Sequence, residues 1–176
     1  MSLSLPDLST RPCSAEVFIR PMQMEDLEAV HAIDCLSFSL PWPAKAFRYE
    51  LLENERSRLW VAAVKTAEGS LQVVGDIVVW LVVDEAHIAT LAVHPDYRRC
   101  GIARRLLSTA LEAARRMGMQ SATLEVRAGN IAAQQLYQSF GFEIVGRRHA
   151  YYQDNQEDAL IMTLADLDRD NRPTPA

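Results

Sequence analysis

The chain has 176 residues, 49% of them hydrophobic and 23% charged, the composition of one globular domain, which excludes a disordered or collagen-like protein. A chain of this length buries about 70% of its unfolded surface, enough for a core without staples. Eighteen Lys and Arg against 23 Asp and Glu give a formal net charge of −5; that argues against a nucleic-acid coat and leaves a basic peptide as an acceptable partner.

Three cysteines, Cys13, Cys35 and Cys100, include no pair at metal or redox spacing, so a reduced, cytoplasmic setting and no metal site are expected. No apolar run reaches the roughly 18 residues of a membrane-spanning helix. No basic flank followed by an apolar stretch marks a secretory leader.

In chain order, residues 1–14 mix Ser, Pro, Leu and Thr without period and are expected to form a loose arm. Glu16 to Arg20 reads as a strand stopped by Pro21. Leu27, Val30, Ile33 and Leu36 recur at helical spacing within 24–38, Pro41-Trp42-Pro43 interrupts, and a second helix is expected over 44–52. Residues 59–64, 71–83 and 86–93 read as a meander of three strands with turns at Glu68-Gly69-Ser70 and Asp84-Glu85. The spacing predicts a long helix over 101–117, stopped by Gly118. Residues 122–126 read as a strand. Asn130 can cap a helix running to Phe140, and strands follow near 142–145 and 158–163. This order, β-α-α-β-β-β-α-β-α-β-β, predicts an α/β (α+β) mixed sheet flanked by helices. The folded domain is expected over 15–166, with a second loose tail over 167–176.

The chemistry concentrates after the third meander strand, in His94-Pro95-Asp96-Tyr97-Arg98-Arg99-Cys100-Gly101-Ile102-Ala103. A strand, a tight glycine loop and a helix N-terminus together expose backbone N–H groups to an anion, with the helix dipole adding positive charge. Gly101 lets the backbone approach a ligand, and Ala103 is small. Arginines at 98, 99, 104, 105, 115 and 116 face one acid, Glu112, across this stretch. Such a reversal of charge suits a phosphate-bearing ligand, although solvated arginines at an ordinary helix start would look the same. No Gly-Lys-Ser/Thr follows at Walker spacing, and no G-x-G-x-x-G is present.

Arg98-x-x-Gly101-x-Ala103, after Thr90-Leu91-Ala92-Val93, resembles the acetyl-CoA pyrophosphate loop of GNAT N-acetyltransferases. Leu124-Glu125-Val126-Arg127-Ala128-Gly129-Asn130, Leu136-Tyr137, Phe140-Gly141-Phe142 and Tyr151-Tyr152 with Glu157-Asp158-Ala159-Leu160-Ile161-Met162 resemble its RimI-like branch, the ribosomal-protein-alanine N-acetyltransferases, as does Phe38 to Phe47 with Pro41-Trp42. The resemblance spans about residues 16–164. It implies the GNAT acyl-CoA fold, a mostly antiparallel twisted sheet flanked by helices, and acetyl transfer from acetyl-CoA to the N-terminal amine of an Ala-starting small-subunit ribosomal protein. It implies no direct contact with nucleic acid or membrane.

Glu125, charged within a strand, must be solvated, paired or functional; the resemblance makes it the general base, acting through a water. Tyr137 reads as a core aromatic of a helix, and the resemblance makes it the acid that protonates the departing thiolate. Asn130 is explained as an N-cap and by the resemblance also contacts the cofactor. Leu91, Ala92 and Val93 would offer backbone groups to the pantetheine arm. Arg98, Arg99, Cys100, Gly101, Ile102, Ala103 and Arg104 would cradle the pyrophosphate, mostly by backbone N–H. Cys100, at a helix start, is a loop spacer or a reactive thiol. Trp42, Tyr151 and Tyr152 either pack in the core or line the acceptor groove. Asp84, Glu85, Asp154, Glu157 and Asp158 are acids available to a basic tail. His94 and His149 read as bystanders. Two other functions fit the same loop: acetylation of a small amine such as a polyamine, amino sugar or amino acid, and non-catalytic sensing of acetyl-CoA.

Overall fold

The structure, a computed structural model, describes residues 16–66 and 68–168. The expected arm and residues 169–176 of the expected tail lie outside them. The elements are β1 (Val17–Pro21), α1 (Leu27–Ser37, entered through a 3-10 turn at Met24–Asp26), α2 (Ala44–Leu52), β2 (Ser57–Lys65), β3 (Leu71–Val82), β4 (Glu85–Val93), α3 (Ile102–Arg116), β5 (Ser121–Arg127), α4 (Ile131–Gln138), β6 (Glu143–Tyr152) and β7 (Glu157–Leu164). The strands form one seven-stranded sheet in the order β1-β2-β3-β4-β5-β7-β6. Every pairing is antiparallel except β4 with β5. The chain order and the mixed sheet are those expected from the sequence.

Strand alternation sends successive residues to opposite layers. Ile77 belongs to the core shared with α3 (Ile102, Leu106, Leu107, Ala110), whereas Val78 belongs to a second core with Val30 of α1 and Phe47 of α2. Helix α3 follows from its apolar stripe and ends at Gly118, whose φ of +87° favours glycine. Leu167 is buried in the α3 core, and its N–H donates to the Gln120 carbonyl at 2.9 Å.

Two irregularities shape the site. Val79 pairs with Ile88 but Val78 with Thr90, so β4 carries one extra residue at Ala89, a bulge that bends the strand. The β4–β5 ladder ends at the Ile88–Leu124 pair, while β4 continues to Val93 and β5 to Arg127. Beyond that pair the two strands part, leaving a wedge in the middle of the sheet.

The α1–α2 connection is held by a buried acid. Asp34 Oδ2 accepts the Trp42 backbone N–H at 2.6 Å. Its other oxygen and both oxygens of fully buried Asp76 on β3 have no hydrogen-bond partner. Burial, with the neighbouring charge of Asp34, raises the Asp76 carboxyl well above the ordinary carboxylate range. A raised folded-state pKa for an acid means the fold binds the proton more tightly than the unfolded chain. The resulting destabilisation is absent below the unfolded value, about 3.9, and grows as pH rises toward the folded value. Asp76→Asn is therefore expected to raise the melting temperature, by little at pH 4 and by several degrees at pH 8. Thermal unfolding scans across that range check it; an advantage that did not grow with pH would contradict this account.

Candidate active site

The wedge opens onto a cavity of about 350 Å³ bounded by the α1–α2 connection, β4, the end of β5 and α4. Glu125 and Tyr137 both line it, as do Trp42, Leu91, Asn130 and Tyr152.

Glu125 sits on β5, paired with Ile161 of β7 and one residue past the last β4 pair, so its strand is open on the β4 side. Its neighbours Leu124 and Val126 are buried in the α3 core, which turns Glu125 to the face carrying α1 and α2. Each carboxylate oxygen has a cationic or ionisable neighbour: Oε2 lies 3.3 Å from His87 Nε2 and Oε1 lies 3.2 Å from Arg148 Nη2. The His87 ring stacks on Trp80 at 5.5 Å between centroids, and Trp80 stacks on Trp42 at 6.1 Å. The Trp80 indole N–H donates to Glu50 of α2 at 2.8 Å. A line of aromatic and charged groups thus crosses the sheet from α2 to β6 and reaches the cavity at Glu125.

Tyr137 enters from the other layer, on α4. Its ring packs on Phe142 at 5.7 Å and the residue is 7% exposed. Burial, and secondarily Tyr152, push its phenol well above the usual tyrosine range. Tyr137 therefore keeps its proton throughout the pH range in which proteins are stable. Asn130 caps α4, its Oδ1 accepting the Ala133 N–H at 3.1 Å, and this role accounts for its residue type.

The loop before α3 is built as an anion cradle. Arg99 has φ +65° and Gly101 φ +76°, and a Cβ at Gly101 would have no atom of the described residues within 4 Å. The first helical bond runs from the Arg105 N–H to the Gly101 carbonyl at 3.1 Å, which leaves the amides of Ile102, Ala103 and Arg104 at the open end of the helix. Open space in front of left-handed backbone and free amides fits the pyrophosphate of acetyl-CoA, and the parted β4 edge at Leu91, Ala92 and Val93 fits its extended arm.

The arginines divide. Arg98 Nε donates to the Val93 carbonyl at 3.0 Å and its Nη2 to Ser37 at 3.2 Å, tying the loop to β4 and α1. Arg104 donates to Ser139 at 3.0 Å and lies over Phe140. Arg115 and Arg116 pair with Glu112 at the far end of α3, about 20 Å from the loop, so the six-arginine reversal of charge is not one patch. Ile102 is buried; Cys100, half-buried against the α3 core, is disulfide-bonded, so it is neither the plain loop spacer nor the reactive thiol expected, and the expected reduced state of the cysteines does not hold for it. Trp42 and Tyr152 line the cavity. Tyr151 does not; it is 45% exposed and meets Tyr152 edge-on at 5.2 Å. His94 accepts the Asp96 N–H of a 3-10 turn, and His149 lies 3.2 Å from Asp158.

Several expected acids are already engaged. Arg127, 3.8 Å over the Tyr152 ring, pairs with Asp154 at 2.9 Å and Glu157 at 3.1 Å. The Ser39 hydroxyl donates to Asp154, so this cluster clasps the α1–α2 connection to the β6–β7 turn. Ser39 and Arg127 hold the Asp154 carboxyl below its ordinary range; the Gly129 N–H, Asn155 and Arg127 do the same for Glu157. Asp158 is taken by the Ala150 N–H, His149 and Arg147. These three belong to the β6–β7 turn and the start of β7 and have partners, so they are not free attractors for a basic tail. Sequence reasoning missed His87, Trp80, Arg127 and Arg148; His87 and Trp80 carried a weak signal, polar or bulky residues on the strand alternation opposite Ile88 and Val79.

Residues 27–142 match the acetyltransferase (GNAT) family. A putative [ribosomal protein bS18]-alanine N-acetyltransferase of Bacillus subtilis is 38% identical over 144 residues, 82% of this chain and 92% of that protein. The [ribosomal protein bS18]-alanine N-acetyltransferase of Escherichia coli is 34% identical over 148 residues, 83% of this chain and 95% of that protein. The crystal structure of the Escherichia coli ribosomal-protein-S18-alanine N-acetyltransferase superposes with a TM-score of 0.74, covering 85% of this chain and 93% of that one. The NatC complex bound to Gag peptide and CoA superposes with a TM-score of 0.75 at 26% identity, covering 85% of this chain and 98% of that one. With the wedge, the anion cradle and the cavity in place, the chain belongs to the GNAT acetyltransferase family.

Proposed function

We propose that this chain transfers the acetyl group of acetyl-CoA to the N-terminal α-amine of a protein, the Ala-starting end of ribosomal protein bS18, in a direct ternary complex. One observation carries the reading: Glu125 and Tyr137 enter a single cavity from opposite layers at the point where β4 and β5 part. The relatives above share most of their length with this chain and carry that activity in their names.

Acetyl-CoA supplies the activated acyl group. The cradle of Arg99 to Arg104 binds its pyrophosphate, and Leu91, Ala92 and Val93 hold its arm with backbone groups. Glu125 takes a proton from the attacking amine through a water. An α-amine, with a pKa of about 7.7–8.0 against about 10.4 for lysine, asks little of that base. Backbone N–H groups of β4 near Val93 steady charge on the thioester oxygen. Tyr137, kept neutral by burial, gives its proton to the thiolate. Trp42 and Tyr152 form the walls against the first residues of the acceptor. No helix among the described residues is long and apolar enough to cross a membrane, and we place the reaction in the cytoplasm with the ribosomal substrate.

Mass spectrometry of the enzyme with acetyl-CoA and short peptides tests the proposal. The expected product is an acetyl group on the α-amine of the basic Ala-starting peptide and none on N-blocked peptides containing lysine. Acetylation of polyamine or free amino acid alone would overturn the acceptor; absence of product with acetyl-CoA still bound would favour a sensor.

A further inference from the structure

From the geometry around Glu125 we infer that His87 is a positioning residue for the reaction, holding the Glu125 carboxylate toward the cavity and carrying its proton to solvent. This rests on Glu125 being the base. His87 faces the acceptor layer, opposite Trp80 in the β3–β4 register, with Nε2 3.3 Å from Glu125 Oε2. Arg148 occupies the region of the other oxygen at 3.2 Å. A carboxylate between two such groups cannot swing freely, so it is aimed before substrate arrives.

The proton needs an exit as well. The Glu125 side chain is 17% exposed, lies in the cavity and would be covered by a bound peptide. The His87 side chain, in contact with Glu125, is 24% exposed and does not line the cavity. In the balanced step the amine loses one proton to Glu125 through water; His87, which holds the carboxylate as its Nε2–H tautomer, exchanges through solvent to the Nδ1–H tautomer, accepts the Glu125 proton at Nε2 and releases the Nδ1 proton to solvent, which restores the Nε2–H tautomer. Nothing is oxidised, and Glu125 returns to its carboxylate form. Imidazole is suited to such an exchange near neutral pH. The stack on Trp80, itself anchored to Glu50, fixes the ring plane. The charged groups around His87 are Glu125 from β5, Arg148 from β6 beyond it, Glu50 from α2 behind Trp80, and Glu85 two residues back on β4.

His87→Phe keeps a ring on Trp80 and removes both nitrogens; His87→Ala opens space for added imidazole. In both, acetyl-CoA affinity and melting temperature are expected near the parent's, while kcat on the Ala-starting peptide falls about tenfold or more, near or below the lower end for a direct acid or base. Imidazole is expected to restore turnover to His87→Ala but not to Glu125→Gln. Parent-like kcat in His87→Phe, or no rescue of His87→Ala by imidazole, with Glu125→Gln inactive, would overturn this inference alone. Full activity of Glu125→Gln would instead overturn the base assignment beneath it.

Discussion

Glu125→Gln is expected to lower kcat on an Ala-starting peptide by about 10²–10⁴-fold, the usual contribution of a positioned acid or base, and to leave acetyl-CoA affinity unchanged. The two halves of this result follow from position. Glu125 points to the α1–α2 layer, whereas the cradle is built from the loop before α3. Gln is nearly isosteric and can keep its oxygen toward Arg148 and its amide toward the His87 ring, so the wall is preserved while the proton acceptor is lost. A further signature separates a lost base from a lost contact. The acceptor's α-amine deprotonates itself as pH passes about 8, so the deficit should be largest near pH 7 and narrow by pH 9. Steady-state kinetics on one peptide at three pH values measures this; a constant deficit across that range would count against Glu125 as the group that takes the amine proton.

The sequence revealed the framework well because the framework depends on local signals. The α2 boundaries follow from Pro43 before and the apolar spacing within, and the α3 stripe and its terminal glycine mark that helix on their own. β6 was legible only over its first residues. It runs to Tyr152 because it is the edge strand on β7, and most of its residues are exposed. Alternation appears in a sequence only when one face is buried, and Gly146-Arg147-Arg148-His149 has no such face to report. The same reason hid Arg148, whose importance is its place across from Glu125. Arg127 was quoted as part of a motif without a role, because its partners Ser39, Asp154 and Glu157 come from segments as much as 88 residues away. The two-layer approach to the cavity also requires the sheet: nothing local places a β5 carboxylate and an α4 phenol in one space.

Gly101→Glu is expected to weaken acetyl-CoA binding by about 100-fold or more, while Arg104→Ala costs less than about tenfold. The contrast follows from what holds the ligand. If backbone amides carry the pyrophosphate, one arginine contributes screened charge at the surface, and Arg104 already donates to Ser139. At Gly101 the added side chain enters space with no atom of the described residues within 4 Å of its Cβ, the space proposed for the ligand. It brings negative charge to the proposed anion cradle. The φ of +76° adds a backbone cost of about 1–2 kcal/mol for any L side chain, partly offset because an acid at a helix N-terminus is favourable. The variant should therefore fold and melt near the parent while losing its ligand. Gly101→Ala separates the causes: it carries the same backbone cost without the charge or bulk, and should bind within about tenfold of the parent. Titration calorimetry with acetyl-CoA on the three variants reads all of this, and parent-like affinity in Gly101→Glu would remove the loop from the cofactor site.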